Sequence, residues 1–414
     1  MALGIIKTLL RLPIDIIITI LRYYLLGGVR SRRYRNSLIN SIKLRVFRTS
    51  LNTGIMDSKY LGPYSNSFLI RRIVPLFASL LVKGVPGYGE KFDDNSIWLA
   101  KLPNRKPGDP VIIYSHGGGY FIQTMPSQIV SLMSLYHLLD DEKRQKTSIL
   151  FLDYKLVSHG YSFPTQLNQL HDTYSKLVSQ DRNNIILMGD SAGGHLSVAY
   201  TQFLKTLDQT VVYPKQLVLV SPWVKLNPLP GDMVQGKSWF DNQHYDLIHH
   251  STFARFLDLC LIVGSEDLHS LVSSPGGKVP KLRSDWSDIP TYSDPDYSVF
   301  IVLGEDESFR DDILEWAKYS VDLPWYLKVK YGDLHKFLEK EHYEFERKNV
   351  AGQANLTVFV EPLGVHDAFF FFEDSASSQI SKNIKAAKQT ILKDLDQKEY
   401  FTMVRLTRFL NETL

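Results

Sequence analysis

Residues 184–204 read NIILMGDSAGGHLSVAYTQFL, which is an apolar run, a serine between glycines and then a segment with helical spacing. The centre of this stretch, GDSAG (189–193), has the pattern G-x-S-x-G. In a sharp strand-to-helix turn, side chains two residues before and after the serine would collide, so glycine is favoured there. The helix start offers N–H groups to a developing oxyanion. We therefore predict that Ser191 is a nucleophile, although a flexible Gly/Ser turn could give the same pattern.

A second glycine motif, HGGG (116–119), follows the apolar run PVIIYS (110–115). Consecutive glycines allow backbone amides to approach a single oxygen atom. The loop lacks the Lys-Ser/Thr of a phosphate-binding P-loop and the spacing G-x-G-x-x-G, which disfavours a nucleotide site. We expect it to supply the remaining donors of an oxyanion hole.

Short apolar runs alternate with helix-length segments over most of the chain. Several are apolar almost throughout, as expected for strands covered on both faces. This order predicts an α/β fold with a mostly parallel central sheet and helices on both faces. The predicted strands are 96–102, 110–116, 147–156, 184–190, 215–221, 298–304 and 356–362.

The base and the acid should follow the nucleophile in the order Ser, acid, His. His366 comes after a predicted strand and a turn, where this architecture places its sites, and we predict that it is the base. His335 and His342 lie in a charged, helix-like stretch and are expected to be solvated. The acid should come from EDESFRDD (305–312), but the pattern cannot choose among its five carboxylates. We expect His269 to be a surface residue, His116 to support the glycine loop and His195 to pack in the core.

Composition excludes several classes of protein. The 414 residues are 44% apolar and 22% charged, as in globular proteins. A single cysteine, Cys260, excludes an internal disulfide and a four-cysteine zinc site. Residues 1–50 carry ten Lys/Arg and one acid, whereas the other 364 carry 37 Lys/Arg and 43 Asp/Glu. The mildly acidic body argues against a nucleic-acid partner.

The N-terminal segment is apolar but interrupted by charges, and no uncharged run reaches about 18 residues. On a helical wheel its polar residues share one arc: Lys7, Thr8, Arg11, Asp15, Thr19 and Arg22. Three interpretations compete: an interfacial helix in the membrane plane, a tilted signal-anchor, and a soluble helix packed on the core. The basic cluster RSRRYR (30–35) suits lipid phosphates, so we expect residues 1–35 to contact a lipid bilayer.

Taken together, these motifs resemble the hormone-sensitive-lipase-like branch of the α/β-hydrolase family. The matching pieces occur in the family's order over roughly residues 90–372: HGGGY (116–120), LDYKL (152–156), GDSAGGH (189–195), SPW (221–223), FRDD (309–312) and VHD (365–367). The N-terminal helix and the cap further resemble fungal steryl acetyl hydrolases, which are membrane esterases of the endoplasmic reticulum.

This resemblance implies a serine esterase that deacetylates steryl acetates, without a cofactor or metal. Other short acyl esters, or a non-catalytic ligand-binding role, are the alternatives. It implies a catalytic triad of Ser191, Glu307 and His366, with an oxyanion hole from the N–H groups of Gly118, Gly119 and Ala192. Because the family more often has Asp at the acid position, Asp306 is the alternative to Glu307. The 59-residue gap from Glu307 to His366 is long. Its excess around 319–350 predicts either a surface helical insertion or part of a lid or membrane-contact surface.

The expected organisation is one catalytic domain with a cap and a membrane attachment. Its parts are an anchor over 1–29, an N-terminal part of the cap over 30–90, a catalytic domain over 91–222 and 298–414, and a cap insertion over 223–297. The resemblance implies the endoplasmic reticulum membrane with a lumenal catalytic domain. The basic cluster would favour a cytosolic body if the segment spans, whereas sequons at Asn355 and Asn411 would favour the lumen.

Overall fold

The computed structural model describes residues 3–181, 183–207, 210–252, 256–333 and 339–414. Nine strands within these ranges form one sheet in the order β1-β2-β4-β3-β5-β6-β7-β9-β8. Neighbours from β4 to β9 pair in parallel, whereas β1, β2 and β8 pair antiparallel. The strands are β1 (Lys91–Asp93), β2 (Ser96–Ala100), β3 (Val111–Ser115), β4 (Ser148–Leu152), β5 (Ile185–Asp190), β6 (Gln216–Val220), β7 (Ser298–Gly304), β8 (Glu344–Arg347) and β9 (Asn355–Glu361).

This arrangement is the α/β-hydrolase fold, as predicted. All seven predicted runs form strands. The helices are α1 (Leu3–Leu25), α2 (Leu38–Leu51), α3 (Asn66–Phe68), α4 (Val74–Phe77), α5 (Ser79–Val82), α6 (Pro126–Leu138), α7 (Asp141–Arg144), α8 (Phe163–Val178), α9 (Ala192–Lys205), α10 (Ser238–Asp241), α11 (Phe256–Val263), α12 (Pro290–Ser293), α13 (Arg310–Ser320), α14 (Lys340–Tyr343), α15 (Ala368–Phe371), α16 (Ala376–Lys385) and α17 (Phe401–Thr413).

Alternate residues of the central strands enter two different cores. Ile113 and Leu187 pack with α8, α9 and α13 on one face, and Ile112 and Met188 pack with α6, α16 and α17 on the other. Because side chains alternate along a strand, this division follows from the apolar runs themselves. The parallel strands end at one edge of the sheet, and the loops there carry the predicted catalytic residues.

The cap differs from the prediction in its N-terminal part. The 223–297 insertion lies between β6 and β7 and packs on the first core. Within 30–90, α2 lies over the predicted site, whereas apolar residues of 66–82 are buried in the second core, on the opposite face of the sheet. This part of the segment therefore belongs to the catalytic domain rather than to the cap.

Helix α1 packs on α2 through its polar side. The Thr8 and Thr53 hydroxyls lie 3.0 Å apart, and buried Asp15 binds the Arg45 guanidinium and accepts a 2.7 Å hydrogen bond from Thr49. Within the predicted polar arc, Thr8, Asp15 and Thr19 are thus buried against the protein, whereas Lys7, Arg11 and Arg22 stay exposed. Most of the apolar side is exposed as well. None of the helices in the described ranges has the length and apolar character needed to cross a membrane.

Two of the four arginines in the basic cluster at 30–35, Arg32 and Arg33, are used inside the protein, so the expectation that the cluster meets lipid phosphates is wrong for these two. Arg32 forms a two-point ion pair with buried Asp306, and Arg33 pairs with buried Glu361 at 2.7 Å. Both carboxylates lie more than 270 residues further along the chain. The cluster therefore holds the N-terminal segment against the catalytic domain.

The segment around 319–350 is not a simple helical insertion. After the short helix α14, β8 pairs with β9 and forms one edge of the sheet. His342 is half-buried, stacks on Tyr331 with ring centres 3.9 Å apart and pairs with Glu339, so it is not a fully solvated side chain. His335 lies outside the described residues.

Candidate active site

Ser191 occupies a strained turn between β5 and α9. Its backbone has φ 48° and ψ −113°, an uncommon conformation for a residue with a side chain. A Cβ at Gly193 would collide with the carbonyl oxygen of Ser115, and a Cβ at Gly189 would collide with the backbone of Gly193. The two glycines therefore permit the turn, and the turn places Ser191 at the wall of a small cavity.

His366 lies in the loop after β9, beside this hydroxyl. Its Nε2 is 2.9 Å from Oγ of Ser191, and the side chain is buried. The ring contacts the edge of Phe309, with ring centres 4.8 Å apart. The structure thus brings together two residues that are 175 positions apart in the sequence.

Glu307 lies in the loop after β7, close to His366. Its Oε2 accepts 2.7 Å hydrogen bonds from the Ser221 hydroxyl and the Gly304 amide. Its Oε1 is buried without a hydrogen-bond partner, as is Nδ1 of His366. The structure thus leaves one buried acceptor and one buried imidazole nitrogen unpaired, and it does not join them by a hydrogen bond.

The two neighbouring acids have other partners. Asp306 pairs with Arg32 and with Lys330, at 2.7 Å from the lysine Nζ. Glu305 accepts hydrogen bonds from backbone amides, including that of Leu363 at 2.9 Å. Both acids are completely buried and bonded within the protein, so neither is a surface charge. Of the three consecutive carboxylates, Glu307 is the one with an unpaired oxygen.

Two carboxylates near His366 were not predicted. Asp367 places Oδ2 3.2 Å from Nε2 of His366, and Asp246 of the cap accepts the His366 backbone amide at 2.8 Å. Burial lowers the pKa of His366, but Asp367, Glu307 and Asp246 outweigh it and raise the pKa to about 9. Motif spacing could not reveal Asp246, because its partners are backbone amides, which every residue has and which leave no sequence pattern. Asp367 belongs to the VHD motif, but adjacency in sequence gave no sign that it faces Nε2.

The glycine loop lies on the other side of Ser191. Gly118 and Gly119 have φ values of 103° and 60° and line the cavity beside the serine. Their neighbour Gly117 donates its amide to Asp190 at 2.9 Å, which ties the loop to the residue before the nucleophile. Ala192 begins α9, so its N–H belongs to the first turn, where helix amides have no intrahelical acceptor.

Two further histidines support this frame, in the roles expected for them. His116 stacks on Tyr154 with ring centres 4.2 Å apart. His195 lies 2.6 Å from the Tyr120 hydroxyl and 2.8 Å from the Ser273 carbonyl oxygen of the cap. Burial lowers the pKa of each to about 4, so both are neutral braces at physiological pH.

The cavity at Ser191 is small and mostly apolar. Its volume is about 40 Å³, far below the roughly 300–1,000 Å³ typical of small-molecule sites. Helix α2 forms one wall through Phe47 and Leu51, and the cap forms another through Leu247 and Ile248. A small acyl group fits this space, whereas a bulky alcohol group does not.

Comparison with known proteins places this site in a family. Residues 88–331 match the family model described as "Steryl acetyl hydrolase". A "Putative steryl acetyl hydrolase mug81" of Schizosaccharomyces pombe is 32% identical over 313 residues, 70% of this chain and 77% of the relative. "Steryl acetyl hydrolase 1" of Saccharomyces cerevisiae is 28% identical over 217 residues, 50% of this chain and 47% of the relative.

Among solved structures, an esterase of the bacterial hormone-sensitive lipase family aligns with a TM-score of 0.49 at 18% identity, covering 90% of this chain and 98% of the esterase. The fold and the comparisons define a carboxylic ester hydrolase of the α/β-hydrolase class. Within that class, the chain belongs to the steryl acetyl hydrolase family.

Proposed function

We propose that the enzyme removes the acetyl group of steryl acetates, with Ser191 as nucleophile, His366 as general base and Glu307 as the acid that orients it. The 2.9 Å contact between Ser191 Oγ and His366 Nε2, at a strained strand-to-helix turn, carries this proposal. The family and the printed names of its members support the choice of substrate.

The reaction follows from the positions of the donors and acceptors. Ser191 Oγ attacks the ester carbonyl carbon while its proton passes to Nε2 of His366. The carbonyl oxygen becomes an oxyanion, which accepts hydrogen bonds from the amides of Gly118, Gly119 and Ala192. The imidazolium then protonates the leaving alcohol oxygen as the C–O bond breaks, which leaves an acetyl-serine. Water attacks this ester, His366 takes the water's proton and returns it to Ser191, and acetic acid departs.

Glu307 is the best candidate for the acid on grounds of pairing. A hydrogen bond between its unpaired Oε1 and Nδ1 of His366 would satisfy two buried polar atoms at once. Asp306, the alternative, is already held by two cations. The Ser221 hydroxyl and Gly304 amide fix the other oxygen of Glu307 and so limit its motion.

The size of the cavity supports a short acyl group. About 40 Å³ beside Ser191 admits an acetyl group but not a sterol. The sterol must therefore extend between α2 and the cap, where Phe47, Leu51 and Ile248 offer an apolar boundary. Movement of these walls would open the path for the alcohol.

The exposed apolar side of α1 supports contact with a lipid surface. Leu9, Leu10 and Ile17 are 57–69% exposed, whereas Asp15 and Thr19 on the same helix are buried. A helix that buries its polar side and exposes its apolar side leaves that apolar side in unfavourable contact with water. A position in the membrane interface would bury the apolar side in lipid. We propose that α1 lies in the membrane plane and, as the resemblance implied, that the membrane is that of the endoplasmic reticulum with the catalytic domain on the lumenal side.

Glycans are a poor test of this orientation. The Asn355 side chain donates to the Pro295 carbonyl at 2.6 Å, and Asn411 accepts the Asp140 amide at 2.9 Å. Asn355 thus uses the side-chain nitrogen that would carry a glycan, and Asn411 uses its side-chain oxygen. Protease protection of the enzyme in intact microsomes tests the side directly, because a lumenal domain is digested only after detergent is added.

The catalytic proposal is tested with Ser191→Ala on a steryl acetate, by measuring released acetate. We expect a loss of about 10³–10⁶-fold in turnover, as for triad serines elsewhere. Ser197→Ala, a buried serine on the same helix, should keep activity. A fluorophosphonate probe should label the parent and Ser197→Ala but not Ser191→Ala. Retained activity of Ser191→Ala would exclude the mechanism.

The membrane proposal is tested by flotation with phosphatidylcholine vesicles. Leu10→Ser with Ile17→Ser should weaken binding by about tenfold or more, because each buried side chain contributes about 1.5–3 kcal/mol. Val279→Ser with Leu282→Ser, two exposed apolar residues of the cap, is the matched control. Equal binding by both variants would contradict an interfacial α1.

A further inference from the structure

We propose that the cleft between α1, α2 and the cap, which contributes residues 244–251 and 258–261, binds a phosphate-bearing anion, foremost the headgroup of an anionic phospholipid. The cleft has a volume of about 900 Å³ and is separate from the cavity at Ser191. This size suits a headgroup with its glycerol rather than a single small ion.

The charges of the cleft point to an anion. Two carboxylates line it, Asp57 and Asp258, and a third, Asp15, lies buried against two of its cations. The six cationic side chains that line it are Lys7, Arg11, Arg22, Arg30, Arg45 and Arg48. Positive charge therefore exceeds negative charge in a concave space, which attracts and concentrates anions.

Half of these cations already have partners inside the protein. Arg11 and Arg45 share the carboxylate of Asp15. Arg48 donates to the backbone carbonyls of Gln243 and His244 and so ties α2 to the cap. These contacts hold one wall of the cleft in place.

The other three cations are available to a ligand. Lys7, Arg22 and Arg30 are exposed, and within the described ranges their side chains have no hydrogen-bond or ion-pair partner. They come from the beginning and the end of α1 and from the segment after it. Cationic side chains that converge on one space without a counter-charge match the chemistry of a phosphate group.

Neighbouring titratable groups report the same excess of positive charge. Burial lowers the pKa of Arg48, and although Asp246 raises this pKa, repulsion from Arg45 and Arg30 lowers it further. Burial likewise lowers the pKa of His244, with further lowering by Arg30 and Arg48. An anion in the cleft would relieve this repulsion.

The position of the cleft favours a lipid as the source of the phosphate. The polar side of α1 lines the cleft, and its opposite, apolar side is exposed. If α1 lies in the interface, as proposed above, the cleft is at the depth of the headgroups. The lipid source therefore rests on that proposal, whereas binding of a free phosphate compound would not.

The test uses the full chain with Lys7→Gln, Arg22→Gln and Arg30→Gln combined, called here the cleft variant. Flotation is measured with phosphatidylcholine vesicles, with and without phosphatidic acid. Each cation near an anionic surface strengthens binding about fivefold, so we expect about a hundredfold loss on the anionic vesicles. Binding to phosphatidylcholine alone, which depends on the apolar side of α1, should match the parent.

A control variant removes the same charge elsewhere, by Lys382→Gln, Lys385→Gln and Lys388→Gln, three exposed lysines at the end of α16 and just beyond it. It should bind both vesicles like the parent. Hydrolysis of a soluble short ester, unchanged in all variants, verifies folding. A parent that hydrolyses no ester would refute the proposed function without affecting the binding result.

A second arm uses inorganic phosphate and thermal unfolding. Stabilisation of the parent but not of the cleft variant supports the site and identifies free phosphate compounds as a source. Stabilisation of neither, with the selective loss on anionic vesicles, supports the lipid source. Equal losses by the cleft and control variants would overturn the proposal, since general attraction then explains the binding. Full binding by the cleft variant in both arms would also overturn it.

Discussion

Replacing Asp367 with Asn should make the enzyme more active at neutral pH. The Asp367 carboxylate lies 3.2 Å from Nε2 of His366, the nitrogen that must accept the Ser191 proton. Its negative charge stabilises the imidazolium and is the first of three carboxylate influences that raise the pKa of His366 to about 9. Below this pH the protonated form, which cannot act as a base, dominates.

The size of the effect follows from the pKa. The rise from the ordinary value of 6.5 to about 9 corresponds to about 3 kcal/mol. Two charges about 4 Å apart interact by about 4 kcal/mol at an effective dielectric constant of about 20, so one carboxylate at this distance can supply much of it. We expect Asp367→Asn to move the acidic limb of kcat/KM down by at least about one pH unit.

The assay is kcat/KM for a soluble short ester across the pH range, so that binding to lipid does not enter. For the parent, kcat/KM should fall about tenfold per pH unit below about pH 9, and for Asp367→Asn this fall should begin at lower pH. At neutral pH the variant should therefore exceed the parent by about tenfold or more. Asp374→Asn, a partly exposed carboxylate paired with Lys43, is the control and should leave the limb in place. An unchanged limb in Asp367→Asn would refute an ionised Asp367 beside the base.

Two further predictions concern the acid loop and a buried ion pair. Glu307→Gln should lower kcat by about 10³–10⁴-fold, whereas Asp306→Asn should lower it far less. Activity assays compare the two variants, with circular dichroism as a folding check. The reverse order of the two losses would assign the acid to Asp306. Arg33→Met leaves buried Glu361 unpaired and should lower the free energy of unfolding, measured in urea, by about 3–5 kcal/mol. Lys101→Met, in an exposed pair, should lower it by less than about 1 kcal/mol. Equal losses would contradict a stabilising role for Arg33.

The parts of the fold that were predictable are those with local causes. Seven strands were visible because a strand buried on both faces must be apolar throughout. Strand β8, with the sequence EFER, is half-buried at the sheet edge, so it lacks the apolar run that marks the other strands. Only pairing with β9 makes it a strand, and that contact depends on tertiary structure.

The same limit explains the errors in the N-terminal segment. The helical wheel correctly grouped the polar residues of α1, because that grouping depends only on helical geometry. It could not reveal that Asp15 faces inward to Arg45 and Thr49. Similarly, the sequence gave no sign that Arg32 and Arg33 have carboxylate partners, because those partners lie more than 270 residues away.

The acid loop shows why sequence could not choose among three consecutive carboxylates. Each one holds a different part of the chain: Glu305 binds the amides of the 331–332 and 363 loops, Asp306 binds Arg32 and Lys330, and Glu307 binds Ser221. All three are buried and all three are needed for distinct reasons. The three residues carry the same chemical group, so only the partners of each carboxylate distinguish a structural acid from a catalytic one.

These contacts also join the N-terminal helices to the catalytic centre. Asp15 of α1 holds Arg45 and Thr49 of α2, and the same turns of α2 place Phe47 and Leu51 in the wall of the Ser191 cavity. A shift of α1 would therefore move the wall that closes the path for the alcohol. Because the cavity is too small for a sterol while this wall is in place, a lipid surface that displaces α1 would act on substrate entry rather than on the chemistry. Its effect should then appear in KM for bulky esters and leave kcat for small ones unchanged.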